Sequence, residues 1–128
     1  QYGGIFFYGA HLVQPLLYLF GDNVQKVRVH QNGKNSSASL VFMDGMLATL
    51  VFTTKKYGWS THIETEEGII PLTSRMAEKK PHKNYVDMVE MFKTGKEPRS
   101  HESIIHGVAV LEALEKSVAS DQWEDVLP

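Results

Sequence analysis

The first apolar segment of the chain, YGGIFFYGAHLVQPLLYLFG at residues 2–21, carries no acidic or basic side chain apart from its histidine and is bounded by glycines. Apolar residues at helical spacing predict a helix in this segment, ended by Gly21. The expected buried stripe consists of Leu12, Leu16, Tyr18 or Leu19, and Phe20. Pro15 has no backbone N–H, so we expect the helix either to bend near His11 or to begin close to Pro15 itself.

The middle of the chain has the composition and alternation that are typical of β-strands. Residues 24–30 form one such run, and two further runs flank Asp44-Gly45, a dipeptide that favours a two-residue hairpin turn. In that register Phe42 pairs with Leu47, and a set of apolar side chains shares one face of the hairpin. These side chains are Val41, Met43, Met46, Ala48, Leu50 and Phe52. Because the opposite face is also apolar, we expect both faces to be covered in the folded protein.

A second hairpin is predicted at residues 59–72, WSTHIETEEGIIPL, with its turn at Glu66-Glu67-Gly68. One face of this hairpin is polar. It carries Ser60, His62 and Glu64. Residues 73–83 are rich in charged and polar side chains, which predicts a connection rather than another strand.

Two helices are predicted in the last third of the chain. The first has the inward positions Tyr85, Met88 or Val89, and Phe92. Gly95 and Pro98 are expected to end it. Ser100 is the predicted N-cap of the second helix, and Glu102 lies in its first turn, where the helix dipole stabilises a carboxylate. This helix should run to about Ala119. Its expected core stripe is Ile104, Ile105, Val108, Leu111 and Leu114.

The order of these elements indicates the fold class. One helix is followed by a block of about five strands and then by two helices, which is the pattern of an α+β fold. We therefore expect a mostly antiparallel open sheet of about five to six strands, with helices packed on one face. The length of 128 residues is typical of one domain, which is predicted to span the whole range 1–128.

Composition and charge exclude several classes of function. The net charge of −2 leaves no basic field, which argues against nucleic acid as a partner. The apolar segment at the start is shorter than the roughly 20 residues of a membrane-spanning helix, so no membrane association is expected. The chain has no cysteine, which fits a reducing compartment and an expected cytoplasmic location. Because it lacks an initiating methionine and opens on Gln1 before a glycine pair, we expect a fragment of a longer protein.

Candidate catalytic residues are few. The sequence has neither a GxGxxG loop after a strand nor an HExxH motif, so neither a nucleotide cofactor nor a metal ion is predicted within this chain. His11 is the main candidate, because an imidazole can act as a general acid or base near neutral pH. A lone histidine on an apolar helix can equally be a structural core residue, and the pattern leaves both interpretations open.

Several segments together resemble one known family. GGIFFYGAHLVQPLLYLFG resembles the helix that opens the C-terminal domain of Gfo/Idh/MocA-type oxidoreductases, the family of glucose–fructose oxidoreductase and inositol dehydrogenase. Further segments are similar to later parts of the same domain, and they occur in the family's order. They are the Asp44-Gly45 hairpin, IETEEGIIPL, YVDMVEMFKTGKEP, and HGVAVLEALEKS with its Ala113 and Ser117. The resemblance covers essentially the whole chain.

The resemblance implies both a fold and a function. The family's domain is a mostly antiparallel open sheet with helices on one face, and its other face commonly packs against a sister subunit. This chain would then be the substrate-binding and oligomerisation domain of an oxidoreductase that acts on a sugar, a polyol or a related hydroxyl compound. NAD or NADP would be bound by an N-terminal Rossmann domain in the full-length parent and not by this chain.

The family's site residues carry over only in part. His11 matches the family histidine that contacts the substrate hydroxyl and assists proton transfer. The two aspartates of the family pattern fall on Phe7 and Gln14, so the usual arrangement of lysine, aspartate and histidine is incomplete. Tyr8 and His62 are candidates to supply other contacts to the substrate. The alternative function is a non-catalytic binding or assembly module that retains the fold.

Overall fold

A computed structural model of the chain describes residues 5–53, 60–72 and 83–127. Within these residues the helices are α1 Ile5–Phe20, α2 Lys83–Thr94 and α3 His101–Ser120. The strands are β1 Val24–Asn32, β2 Asn35–Phe42, β3 Leu47–Phe52, β4 Thr61–Thr65, β5 Gly68–Leu72 and β6 Glu124–Asp125. None of the helices in these ranges combines the length and the hydrophobicity that a membrane span requires.

The chain divides into two compact units. The first comprises Gln1–Thr54 and Arg99–Pro128 and contains α1, β1, β2, β3, α3 and β6. The second, Lys55–Pro98, contains β4, β5 and α2. The helix with the candidate histidine therefore belongs to the first unit, together with the last helix of the chain.

The first unit is built on a four-stranded sheet with the order β3-β2-β1-β6, in which every neighbouring pair is antiparallel. In the second unit β4 and β5 form an antiparallel hairpin with Thr65 opposite Gly68. Gly68 has φ +124, a conformation that favours glycine, so the turn lies where the sequence predicts it. The α+β class and the antiparallel pairing are confirmed, although the strands form a sheet of four and a hairpin of two.

The connection between β2 and β3 is one residue longer than predicted. Val41 pairs with Leu47, and the N–H of Phe42 donates to the carbonyl of Met46 at 2.9 Å. The predicted pairing of Phe42 with Leu47 is therefore wrong. The loop therefore contains three residues, and its last residue, Gly45, has φ +90. A residue with positive φ at the end is typical of three-residue hairpin loops. The side chain of Asp44 stabilises it by accepting from the N–H of Met46 at 3.0 Å.

This shift by one residue changes the predicted face of the hairpin, because the side chains of a strand alternate between its two sides. Leu50 lies opposite Ala38 and is only 8% exposed, so it faces the core. Val41 and Met43 do not share that face. The six apolar residues predicted to lie together are thus divided. Met46, Ala48, Leu50 and Phe52 contact the core, whereas Met43 is exposed with Leu47 and Val51.

The core of the first unit lies between the sheet and two helices. From the sheet it takes alternating side chains of β1 and β2, which include Val27, Val29, Ala38, Leu40 and Phe42. From the helices it takes Val13, Leu17, Val110, Leu111 and Leu114. Because the strand residues all belong to one face, α1 and α3 pack on the same side of the sheet, as predicted.

The buried stripe of α1 differs from the predicted one. Gly9, Val13 and Leu17 are buried at intervals of four residues, and Leu12, Leu16 and Phe20 pack beside them. Tyr18 and Leu19 are exposed, so their predicted burial is wrong. Almost every residue of this helix is apolar, so periodicity alone does not select a face. The buried face is the one that carries Gly9, where the side chain of Leu111 packs closely. A Cβ at Gly9 would lie 3.1 Å from Leu111 Cδ2.

The start of α3 is confirmed and its core stripe only in part. The hydroxyl of Ser100 accepts from the N–H of Ser103 at 3.2 Å, as expected for an N-cap. Leu111 and Leu114 are buried as predicted. The prediction is wrong for the three residues nearer the start, Ile104, Ile105 and Val108, which are exposed. Gly107, Val110, Ala113 and Ser117 are buried with Leu111 and Leu114, and the space beside Gly107 is filled by the side chains of Gln14 and Leu17.

The second predicted helix, α2, ends where the sequence indicates. The N–H of Gly95, at φ +69, donates to the carbonyl of Met91 at 2.8 Å. Its predicted inward residues, Tyr85, Met88, Val89 and Phe92, are exposed, so that part of the prediction is wrong. A periodic stripe identifies the apolar side of a helix but not whether anything covers it. Of the predicted polar connection at 73–83, residues 73–82 lie outside the described residues, and Lys83 begins α2.

Candidate functional site

The first helix brings together two of the three candidate site residues. His11 and Tyr8 are three positions apart on α1, a spacing at which helical side chains are neighbours. His11 is exposed, and so is Tyr8. The imidazole is therefore not sealed inside the core of the first unit, and the outer side of α1 presents it beside a phenol.

Phe7 adds a second aromatic ring to this surface. Its ring meets that of Tyr8 edge to face, with centroids 5.2 Å apart and planes at 85°. The Phe7 side chain is 65% exposed. The position that holds an aspartate in the family pattern is thus an apolar edge in this chain. It can exclude water and form a flat contact, but it cannot orient His11 through a charge.

The other family aspartate position, Gln14, follows His11 by three residues on α1. Its side chain links α1 to the start of α3. Its Oε1 accepts from Arg99 Nη1 at 2.6 Å. Arg99 also donates through Nη2 to the hydroxyl of Ser103 at 2.7 Å. These bonds are partly buried. Sequence reasoning missed Arg99 and Ser103, because a contact between residues 85 positions apart leaves no local signal.

The backbone of α1 is unusual at this point. Pro15 lies inside the helix, so the bond that an N–H at this position would make to the carbonyl of His11 is missing from the helical ladder. The helix nevertheless continues to Phe20, and the sequence alternative of a start near Pro15 is wrong. The candidate histidine therefore lies next to the one position of α1 that has no backbone N–H to donate.

His62, the third candidate, is exposed on β4 in the second unit, where it lies opposite Pro71.

Two clefts occur elsewhere and include none of the three candidates. A cleft of about 270 Å³ lies at the ends of β1, β2 and β3, beside His30, and one of about 480 Å³ lies along α2 and the residues that follow it. Across the part of the chain that the structure describes, no three His, Cys, Asp or Glu side chains form a group that could hold a metal ion.

The fold of this chain is similar to that of several solved proteins. A candidate myo-inositol dehydrogenase from Sinorhizobium meliloti 1021 has a TM-score of 0.65 and 14% identity over 98% of this chain and 50% of its own. An NAD-binding protein from Listeria innocua has a TM-score of 0.64 and 18% identity over 96% and 48%. The WlbA dehydrogenase from Bordetella pertussis, solved with NADH and UDP-GlcNAcA, has a TM-score of 0.70 and 20% identity over 94% and 44%.

At these identities the likeness establishes a shared fold. It extends over nearly all of this chain, whereas the chain spans about half the length of these solved structures. No protein-family model matches the sequence, and no curated protein matches it.

Proposed function

We propose that residues 1–128 form the substrate-binding and oligomerisation domain of an NAD(P)-dependent oxidoreductase of the Gfo/Idh/MocA type. The domain would be the C-terminal part of a longer protein, and its substrate a sugar, a polyol or a related hydroxyl compound. Support comes from the shared fold with solved proteins named as dehydrogenases, one of which was solved with NADH and a nucleotide sugar. The order of family-like segments in the sequence supports the same assignment.

The observation that carries this proposal is the exposure of His11 on α1, next to Tyr8. An exposed imidazole on a helix can accept a proton from a substrate hydroxyl or return one to it. The phenol of Tyr8 can donate or accept a hydrogen bond at a neighbouring hydroxyl. Phe7 contributes an apolar edge that suits the carbon face of a sugar ring. In this chain the proton-transfer role therefore falls to the imidazole without help from a carboxylate on α1.

His62 is proposed as a further substrate contact because the polar face of its hairpin offers an imidazole. A neutral imidazole has one nitrogen that donates and one that accepts, which suits a polyol with several hydroxyl groups. This role rests on the absence of the family's two aspartates, which leaves other groups to contact the substrate, and on the exposure of His62.

The nicotinamide cofactor is proposed to bind outside this chain. A dinucleotide phosphate is bound where a glycine turn leads from a strand into a helix. The glycines with positive φ, namely Gly21, Gly33, Gly45, Gly68 and Gly95, lie in turns or at helix ends, and none of them is the first residue of a described helix. We therefore assign NAD or NADP to the rest of the longer protein, where it would supply the hydride acceptor.

The sheet is the proposed surface for a homo-oligomer. Its face away from the helices carries exposed Met43, Leu47 and Val51. Large apolar side chains that are grouped on a surface favour association, because their burial releases ordered water. The observed register revises the residues predicted for this surface, because Leu50 lies in the core whereas Leu47 and Val51 are exposed. Assembly through the sheet face is a proposal that the oligomeric state tests.

The alternative function is a non-catalytic binding or assembly module. Phe7 and Gln14 favour it, because neither can replace a catalytic carboxylate. The two functions differ in turnover. The full-length protein should reduce NAD⁺ or NADP⁺ in the presence of polyols or sugars, tested with a panel that starts from myo-inositol and glucose. A protein that binds members of this panel by calorimetry but never reduces either cofactor would be the non-catalytic module.

A further inference from the structure

We propose that Arg99 and Gln14 form a clamp between α3 and α1 that positions His11, and that Gln14 acts only through this clamp. Gln14 is then a positioning residue and not a substitute for a catalytic aspartate. The role assigned to His11 rests on the proposed function, whereas the clamp itself is a property of the fold.

The guanidinium of Arg99 contacts both helices at once. Nη1 donates to Gln14 Oε1 on α1 at 2.6 Å, and Nη2 donates to Ser103 Oγ on α3 at 2.7 Å. Hydrogen bonds from a charged donor are shorter and stronger than neutral ones. The planar, forked guanidinium fixes the directions of both bonds, so the two acceptors are held at a defined separation.

The seat of the Gln14 amide is formed by the backbone of α3. A Cβ added at Gly107 would lie 2.9 Å from Gln14 Nε2, closer than real Cβ contacts. Gly107 is buried. The absence of a side chain at this position therefore leaves the space in which the amide lies. Arg99, just before α3, contacts Gln14 Oε1, and Gly107 on α3 accommodates Nε2, so both ends of the amide have a partner outside α1.

The clamp lies next to the point at which α1 lacks one of its helical hydrogen bonds. Gln14 immediately precedes Pro15, whose missing N–H removes the helical bond to the carbonyl of His11. A helix can bend where such a bond is missing. A side-chain anchor at Gln14 restricts that bend, and His11 lies less than one turn away. We therefore expect the direction of the imidazole to depend on Arg99, although Arg99 follows His11 by most of the chain length.

The test uses this chain with Gln14→Met, Arg99→Met and the double variant. Methionine keeps the length of the glutamine side chain and most of the aliphatic part of the arginine side chain, and it removes the hydrogen bond in both cases. Urea unfolding should give a coupling of about tenfold in the unfolding equilibrium constant, as expected for a charge-assisted bond. Arg28→Met is the matched control. Arg28 donates to the carbonyl of Asp121 at 3.3 Å, and it should not couple to Gln14.

The positioning role is read from the ring resonances of His11 by NMR in the folded protein. Gln14→Met and Arg99→Met should shift these resonances, while those of His30 on β1 stay in place. Gln14→Glu retains an acceptor of the same length and should keep the coupling to Arg99, but its carboxylate lies near His11, so the His11 resonances are compared only in the two methionine variants. A loss of stability alone would leave the folded-state resonances of His11 unchanged.

Additive single variants, or unchanged His11 resonances in both methionine variants, would overturn the clamp as a positioning device. Neither measurement needs a substrate. If the full-length protein proves inactive while coupling and resonance shifts are observed, the proposed function fails and the clamp stands. If the protein is active and the coupling is absent, the clamp fails and the proposed function stands.

Discussion

At the scale of single residues, Ser117 shows how one buried hydroxyl joins three parts of the first unit. Its Oγ accepts from the backbone N–H of Val29 on β1 at 2.9 Å and donates to the carbonyl of Gln122 at 2.6 Å. The edge strand β6 pairs with β1 only at Lys26 and Val27. The N–H of Val29 therefore lies beyond the reach of this strand, and the hydroxyl takes the place of a strand carbonyl.

Ser117→Ala should lower the free energy of unfolding by about 1–3 kcal/mol, because it leaves a buried N–H and a carbonyl without this hydrogen bond. Ser120→Ala is the control, since Ser120 is exposed at the end of the same helix and should change stability by less than about 0.5 kcal/mol. Urea unfolding monitored by circular dichroism would measure both. Equal effects of the two substitutions would contradict the structural role of Ser117.

The residues that the sequence identifies correctly are those whose partners are close in the chain. Ser100 and Glu102 could be predicted because a helix cap is formed within one turn. The pKa of the Glu102 carboxyl is lowered by hydrogen bonds from its own backbone N–H and from the hydroxyl of Ser100. The bond from Arg99 to Gln14 could not be predicted in this way. A glutamine on an apolar helix is compatible with many partners, and only the packing of α1 on α3 selects one.

At the scale of elements, the β2–β3 hairpin depends on the geometry of its loop. Leu47 and Leu50 lie on the same strand, with opposite environments: Leu47 is 72% exposed and Leu50 is 8% exposed. In the register with a two-residue turn these environments would be exchanged, because Leu47 would lie opposite Phe42.

A matched pair of substitutions tests this register. Leu50→Ala should cost about 2–5 kcal/mol of stability, as expected for a leucine removed from a packed core. Leu47→Ala should cost less than about 0.5 kcal/mol when measured at a low protein concentration, at which association does not contribute. Thermal or urea unfolding would show the difference. The reverse order of the two effects would indicate the two-residue turn.

The sequence pattern predicted the presence and order of helices and strands better than it predicted their buried faces. In α1 and on both sides of the hairpin loop most positions are apolar, so either face satisfies the pattern. In α3 the pattern favoured Ile104 and Ile105 by hydrophobicity, yet close packing selected Gly107. Burial at such positions depends on how near the neighbouring helix approaches, and this distance is not encoded in the periodicity of one segment.

At the scale of the whole molecule, the face of the sheet away from α1 and α3 determines the expected assembly. Leu47→Glu should convert the homo-oligomer to a monomer, because it places a charge in an apolar contact. Leu19→Glu is the control: Leu19 is half exposed on α1, away from this face. Leu50 is unsuitable for this test, since it lies in the core and a charge there would unfold the unit.

Light scattering over a range of concentrations would measure the change. The wild type and Leu19→Glu should have the same mass, larger than that of one chain, and Leu47→Glu should have the mass of one chain. A wild type that stays monomeric at high concentration would contradict assembly through the sheet.

The α+β class could be predicted from the order of the elements alone, because segregated helices and strands allow few architectures. The division into two units could not be predicted in this way, because it depends on contacts between residues that are far apart in the sequence. The proposed site residues, His11, Tyr8 and His62, were predicted from the family resemblance and from the chemistry of their side chains. The structure adds that His11 is exposed on α1 beside two aromatic rings and next to an anchored glutamine.

The most direct test of the account is the effect of His11→Ala on the full-length protein, with NAD⁺ or NADP⁺ reduction measured on the most active member of the polyol and sugar panel. We expect turnover to fall by roughly 10²–10⁴ with little change in melting temperature, because the imidazole is exposed. His30→Ala, an exposed histidine on β1, should leave turnover unchanged. A His11→Ala protein that is destabilised by about 1–3 kcal/mol but fully active when folded would contradict the central claim.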